Sequence, residues 1–402
     1  MTLQKSRFLS THAVGLLGVL SCSVLAESPS VTVHDTEGLR RAAAAAKPGA
    51  RILLEPGEYQ GGIDLAGLKG EAGKPIVIAA LDPRRPPVIQ GGATGIYLTD
   101  PEHVELRDLV IRGATGNGIN IDDGGSYDTP ARHILVSGLT VTDVGTGGNN
   151  DGIKLSGLDD FRIEKCRIER WGGRGGSGID MVGCHRGVIE ACTFRNSETD
   201  SSTGVQAKGG TAEIAIRSNR FEDAGGRAIN IGGSTGLQFF RPALKKDPGA
   251  EHCEAKDIRV EGNTFVGGGA AVAFVGVDGA VVRFNTIYRP KRWAFRILQE
   301  NREPGFVPSR KGVFTDNVIV FRTDEWSMAA NVGGGTEPKS FQIARNWWYA
   351  LDRPERSRPE LPVAEDGGTY GKDPQLVDPA KGDLRLRPES PARKAGAEAR
   401  EE

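Results

Sequence analysis

Short stretches of alternating apolar and polar residues recur along this chain at nearly constant spacing. Gly118-Ile-Asn-Ile-Asp, Gly152-Ile-Lys-Leu-Ser, Gly178-Ile-Asp-Met-Val, Gly204-Val-Gln-Ala-Lys and Ala228-Ile-Asn-Ile-Gly lie 34, 26, 26 and 24 residues apart. Alternation with period two marks a strand with one buried face. A second series follows the first: Ile163…Cys166-Arg-Ile, Ile189…Cys192-Thr-Phe, Ile216…Asn219-Arg-Phe and Val260…Asn263-Thr-Phe. It continues through Asn285-Thr-Ile, Asn317-Val-Ile and Asn346-Trp-Trp. Short strands and glycine-rich turns repeating at this interval predict an all-β solenoid, whose coils stack equivalent residues into columns.

The pattern divides the chain into four parts. Residues 1–26 read as an export signal: Lys5 and Arg7 precede the apolar run Ala13–Ala26, and Val24-Leu25-Ala26 fits a cleavage site. Residues 27–92 form an N-terminal cap and the first coils. Within them Thr36–Lys47 is expected as a short helix stopped by Pro48-Gly49, covering the open end of the first coil. Residues 93–350 carry the coils, with nine or ten turns expected between Val88 and Tyr349. Residues 351–402 form a closing segment, in which Asp373-Pro-Gln-Leu-Val and Asp383-Leu-Arg-Leu could pair and the last dozen residues are expected to be disordered. Two stretches, 237–257 and Gln299–Lys311, interrupt the repeat and are expected to project from one face.

Composition supports a coil-by-coil core. The 56 glycines supply tight turns, and with only 6% aromatic residues the core must rest on Ile, Val, Leu and Ala. The net charge of -1 argues against nucleic acid as a partner. Cleavage after Ala26 would leave 49 bases and 52 acids, a net of -3. A secreted or periplasmic monomer is expected, with a lipid anchor on Cys22 as the alternative. No later segment is long and apolar enough to span a membrane. Cys166 and Cys192 hold equivalent positions, so their backbones should lie about 4.8 Å apart. That spacing suits either a disulfide or two stacked free thiols.

The candidate chemistry lies in the outward columns. The first runs Asn120, Lys154, Asp180, Gln206, Asn230, Ala273 and Arg296; two residues on, the next contains Asp122, Ser156, Val182 and Lys208. Lys154, Asp180, Gln206 and Lys208 therefore gather on three successive coils. Asn150 and Asp151 lead into the Lys154 strand, and Arg227 into the Asn230 strand. A plain cross-strand ion pair explains Lys154 beside Asp180 equally well. The glycines at 152, 157, 178, 183, 204, 209 and 210 suggest an open floor on which a polymer could lie. The Asn219-to-Asn346 column is structural, because stacked asparagines bond one another and the backbone. His185 is a candidate proton carrier or a solvated turn residue. Trp171, Trp293, Trp347 and Trp348 are candidates for stacking on sugars, with one of the last two expected in the core.

The repeats resemble the right-handed parallel β-helix superfamily of pectate, alginate and chondroitin lyases. Pro48-Gly-Ala-Arg-Ile-Leu-Leu-Glu-Pro-Gly-Glu-Tyr, Gly73-Lys-Pro-Ile-Val-Ile-Ala-Ala and Val88-Ile-Gln-Gly-Gly are similar to the opening of the alginate lyase and chondroitinase B-like branch. The similarity of pattern spans about residues 31–390. The Gly-His-Gly of polygalacturonase-like hydrolases and the Asp-Pro-His-Asp of alginate epimerases are absent. Gly204-Val-Gln-Ala-Lys208 is similar to the lysine-base motif of one pectate lyase branch, although the acidic calcium cluster of that branch is thin here.

The resemblance implies an exported lyase that cleaves an acidic, uronate-containing polysaccharide by β-elimination. In that reading Lys208 is the base, provided a neighbouring cation, Lys154 or Arg227, favours its neutral amine. Gln206, Asn230 and Arg227 hold the uronate carboxylate. Asp180 and Asp151 bind calcium or orient Lys154. Asn150, Arg241, Arg296 and Trp293 contact further sugar units. Two other readings stay open: a non-catalytic glycan-binding or adhesion protein, and, third, a glycoside hydrolase.

Overall fold

The computed structural model describes residues 1–2, 30–145, 148–195, 201–247 and 249–399. The export signal expected over residues 1–26 lies, from residue 3 on and with Cys22, outside the described residues.

Nearly every strand is parallel to its neighbours, in three long sheets of 13, 10 and 12 strands wound into a right-handed parallel β-helix. Each coil contributes a strand to each sheet, because each repeat holds three short alternating stretches separated by turns. The 12-stranded sheet counts the coils. Without its first strand, Glu58–Gln60, and its last, Thr369–Tyr370, ten strands remain from Val88–Gln90 to Trp347–Ala350. Inward residues along the 10-stranded sheet, such as Ile153, Leu155, Ile179, Met181, Val205, Ile229 and Ile231, are buried. Burying one such side chain contributes about 2 kcal/mol, and the stack repeats the gain coil after coil.

The asparagine column is a hydrogen-bonded ladder in the interior. Asn219, Asn263, Asn285 and Asn317 each donate through Nδ2 to the Oδ1 of the next asparagine, at 2.9–3.1 Å. Glu365 ends the ladder, accepting from Asn346 Nδ2 at 2.8 Å and Trp348 Nε1 at 2.9 Å. Cys166 and Cys192 continue the column downward as buried free thiols. The Cys192 thiol is pushed well up, first by the neighbouring Cys166 thiol and then by burial.

The N-terminal helix spans Thr36–Ala44, with Asp35 Oδ1 capping the Gly38 N–H at 2.6 Å. It ends three residues before the expected Lys47, and Leu39 and Ala43 bury themselves on the first coils. The closing pair forms as expected, Leu376–Asp378 antiparallel to Asp383–Leu386. The tail departs from expectation. Ala392 and Ala395 are buried against Val318 and Trp347, and Gly396 N–H donates to Asp316 O at 2.9 Å. Small residues let this charged segment lie flat on the last coils. No helix among the described residues is long and apolar enough to cross a membrane.

The two insertions pack together. Phe240 is fully buried and meets Phe306 edge-on at 5.4 Å, while His252 N–H donates to Gly305 O at 2.8 Å. Glu254, fully buried, joins them to the coils: it accepts from Gly209 N–H, Thr235 N–H and Asn301 Nδ2, each at 2.9 Å.

Candidate functional site

The register of the 10-stranded sheet stacks Asn120, Lys154, Asp180, Gln206, Asn230, Ala273, Arg296 and Asn331 in one outward column. Along this column the candidate residues separate into two groups.

The lower group is a half-sunken ion cluster. Asp180 is buried, and its Oδ2 takes both the Lys154 ammonium and, at 3.3 Å, the Lys208 ammonium. Lys154 also lies 3.7 Å from Asp151, which is buried and accepts from Ser177 N–H at 2.7 Å. Burial, then the charge of Asp180, lifts the Asp151 carboxyl to about 7. Burial alone would raise Asp180 too, but its two lysine partners outweigh it and hold the carboxyl below its ordinary value. Burial likewise opposes the charge on Lys154, and the two aspartates more than compensate, so its ammonium is favoured. Asp180 stands between the Lys154 and Lys208 ammonium groups, and Arg227 is engaged elsewhere, with Asn230 and Glu300.

This donor set does not fit calcium. Calcium takes six to eight oxygen ligands, whereas here Lys154 bridges both carboxylates and Lys208 takes the same oxygen of Asp180. No group of three or more acidic, histidine or cysteine residues suited to a metal gathers among the described residues. Both aspartates pair instead with Lys154.

The upper group lines a cavity of about 250 Å³. Gln206, Asn230, Arg227, Arg296 and Trp293, all singled out from the sequence, come together there. Arg227 Nη1 donates to Asn230 Oδ1 at 3.1 Å, and Asn230 Nδ2 donates to Gly232 O at 3.2 Å. Arg296 lies over the Trp293 ring, 4.2 Å from its centroid, and donates to Asn331 Oδ1 at 2.9 Å. Burial and the adjacent charges of Arg227 and Arg292 push the Arg296 guanidinium down to about 10. Arg292 and Glu300 also line the cavity, and the sequence columns did not reveal them. Arg292 sits one residue before its paired strand, and Glu300 is the second residue of an insertion. Their only sequence signal is nearness to Trp293 and to the end of the Arg296 strand. Gln206 joins the two groups: it shares a strand with Lys208, and its Oε1 accepts from Ser177 Oγ at 3.3 Å.

Other candidates lie elsewhere. Arg241 is held by the carboxylate of buried Asp123, with Nη2 2.9 Å from Oδ1, and stacks on Tyr127 at 4.5 Å. It therefore fastens the first insertion to the coils and is not open to a further sugar unit. Asn150 is half-buried in its turn against Gly145, outside the cavity. Trp171, Trp347 and Trp348 are core residues. His185 pairs through Nδ1 with Asp159 at 3.0 Å, at the start of a strand in a different sheet. The glycines form no open floor. A Cβ on Gly152, Gly178 or Gly204 would strike the carbonyl oxygen of the coil above at 2.4–2.6 Å, and one on Gly183 would strike Arg241 Cβ at 2.4 Å. The first three allow close stacking; the last makes room for the insertion.

The comparisons with known proteins agree with this fold. A family model described as "Right handed beta helix region" matches residues 94–250. No curated protein matches the chain by sequence. Among solved structures the chain is similar to pectate lyase Pel9A, with TM-score 0.53 and 15% identity over 92% of both chains. It is similar to a rhamnogalacturonan lyase, with TM-score 0.52 and 15% identity over 77% of this chain and 82% of that one. It also resembles the PL6 family alginate lyase AlyGC, with TM-score 0.50 and 16% identity over 91% of this chain, but it spans only 56% of that one. At these identities the likeness is one of fold.

Proposed function

We propose that this chain is an exported polysaccharide lyase that cleaves an acidic, uronate-containing polymer by β-elimination. One observation carries the reading: Arg227, Arg292 and Arg296 surround a cavity with one acidic residue among its described lining, directly above two outward lysines. Three guanidiniums crowded together repel one another, and an anion entering among them relieves that repulsion. A uronate carboxylate is a planar, two-oxygen anion matched to guanidinium donors, and Trp293 offers a face to a sugar ring. Export rests on the basic and apolar pattern of residues 1–26.

Elimination requires a base for the proton α to the carboxylate, neutralisation of that carboxylate, and a proton for the leaving oxygen. In this reading the arginines, with Asn230 and Gln206, neutralise the carboxylate as negative charge develops on it. Lys208, as the amine, takes the proton; the carbon–oxygen bond breaks as the double bond forms. The new ammonium is stabilised by Asp180 and returns the proton to the departing oxygen. Lys154 and Asp151 act as positioning residues by holding Asp180.

A second reading, a non-catalytic glycan-binding protein, is favoured by one specific feature. Both lysines already engage Asp180, an arrangement that binding alone could use. Incubation with a panel of uronate polymers separates the two. A lyase releases unsaturated products absorbing in the near ultraviolet, and Lys208→Ala abolishes them. Retention of a polymer without such products supports the binding protein, and full activity of Lys208→Ala removes the base assignment.

A further inference from the structure

We infer that Glu300 occupies the carboxylate subsite of its own pocket, so that an incoming uronate must displace it from Arg227; this rests on the reading of the pocket given above. Glu300 Oε1 accepts from Arg227 Nη2 at 2.7 Å. The other terminal nitrogen of Arg227 is committed to Asn230, so Nη2 is the position a ligand carboxylate contests. Among the described residues lining the cavity, Glu300 alone is acidic. Its carboxylate offers the same two oxygens and the same charge as a uronate, and its charge also favours that of Arg296.

The backbone around Glu300 is fixed. Gln299 and Asn301, on either side, are buried. Gln299 accepts from Ser309 N–H at 2.7 Å and donates to Asn301 O at 2.7 Å, while Asn301 donates to buried Glu254 at 2.9 Å. The Glu300 side chain itself is exposed. It can therefore leave Arg227 by rotamer change alone, on a picosecond-to-nanosecond timescale, without opening of the insertion. A neutral sugar brings no charge to exchange for Glu300 and leaves the pair closed. Glu300 thus sets selectivity for anionic over neutral sugars by competition.

The test is calorimetric binding of monomeric galacturonate and glucuronate, with glucose as the neutral probe, to the full chain. Glu300→Gln should bind the uronates roughly three- to tenfold more tightly, the effect expected from freeing one half-exposed charge-assisted hydrogen bond, with no gain for glucose. Glu303→Gln, on the same insertion and also exposed, removes an equal charge without touching the pocket and should give a clearly smaller gain. In the Arg227→Ala background the gain from Glu300→Gln should vanish. Unchanged uronate affinity in Glu300→Gln, or an equal gain in Glu303→Gln, overturns the inference. Polymer cleavage, measured separately, tests the lyase reading. A cleaving enzyme with no gain in Glu300→Gln sinks the competitor role alone, while a gain in a protein that cleaves nothing sinks the lyase alone.

Discussion

Lys208 Nζ stands 3.3 Å from Asp180 Oδ2 across a coil boundary, and Lys154 reaches the same oxygen from the coil below. Two cations thus share one buried anion, whose Oδ1 has no hydrogen-bond partner of its own among the described residues, while Lys154 alone also reaches Asp151. Asp180→Asn keeps the shape and removes the charge. It leaves two half-buried ammonium groups facing each other, and loss of one partner of a buried pair costs about 3 kcal/mol or more. Urea denaturation should show that loss. A variant as stable as the parent would mean that solvent, and not Asp180, balances the lysines.

The raised carboxyl of Asp151 gives a pH signature. Folded, it holds its proton up to about 7, against an ordinary value of 3.8. Between those limits the folded state binds more protons than the unfolded state, so this group's contribution to stability falls as pH rises from about 4 to about 7 and is level beyond. Asp151→Asn keeps an acceptor for Ser177 N–H and cannot titrate. The stability of the parent minus that of Asp151→Asn should therefore decline across this window. A difference that stays constant across it would show that Asp151 ionises normally in the folded chain.

The arginine pocket is tested by graded substitution at Arg296. Loss of a charge-assisted hydrogen bond to substrate weakens it by about 1.5–3 kcal/mol. Arg296→Ala should accordingly lower kcat/KM on the preferred uronate polymer roughly 10- to 100-fold. Arg296→Lys should recover only part of this, since a lysine offers a point charge in place of a planar fork. Trp293→Ala should mimic part of the Arg296 loss by releasing the stacked guanidinium. An unaltered kcat/KM in Arg296→Ala would place the substrate carboxylate elsewhere.

The fold was legible because a β-helix repeats its constraints. Ile153, Ile179, Val205 and Ile229 obey one alternation, and their register follows from it, so Lys154, Asp180, Gln206 and Asn230 had to stack. The same logic placed the asparagine ladder. Column logic stops where the repeat does. Arg292 and Glu300 lie off the paired strands, and Arg241 belongs to an insertion whose docking depends on Asp123, more than a hundred residues earlier. Burial was also misjudged wherever an insertion covers the coils: Gly183 looks like open floor in one dimension but lies beneath Arg241 in three. The tail was misread for a related reason. Its charges suggested disorder, while Ala392 and Ala395 supply the small apolar contacts that hold it down.

The pairing of Arg241 with Asp123 yields the last prediction. The first insertion crosses the glycine ledge of residues 157, 183 and 210, where its charged side-chain anchor is the Arg241 guanidinium on a carboxylate that is almost wholly buried. Asp123→Ala leaves that guanidinium over a cavity and removes its counter-charge, at a cost of about 3 kcal/mol or more for a pair this buried. Phe240 still packs on Phe306, so the insertion should loosen locally while the coils stay wound. Limited proteolysis should then cut Asp123→Ala between residues 236 and 250 at protease levels that leave the parent whole, with an unchanged far-ultraviolet circular dichroism spectrum. Arg241→Ala should be cut in the same place and, if Arg241 only fastens the insertion, should lose far less uronate affinity than Arg296→Ala. An Arg241→Ala protein that resists the protease yet fails to bind polymer would restore Arg241 to the sugar-contacting role that its position in the sequence first suggested.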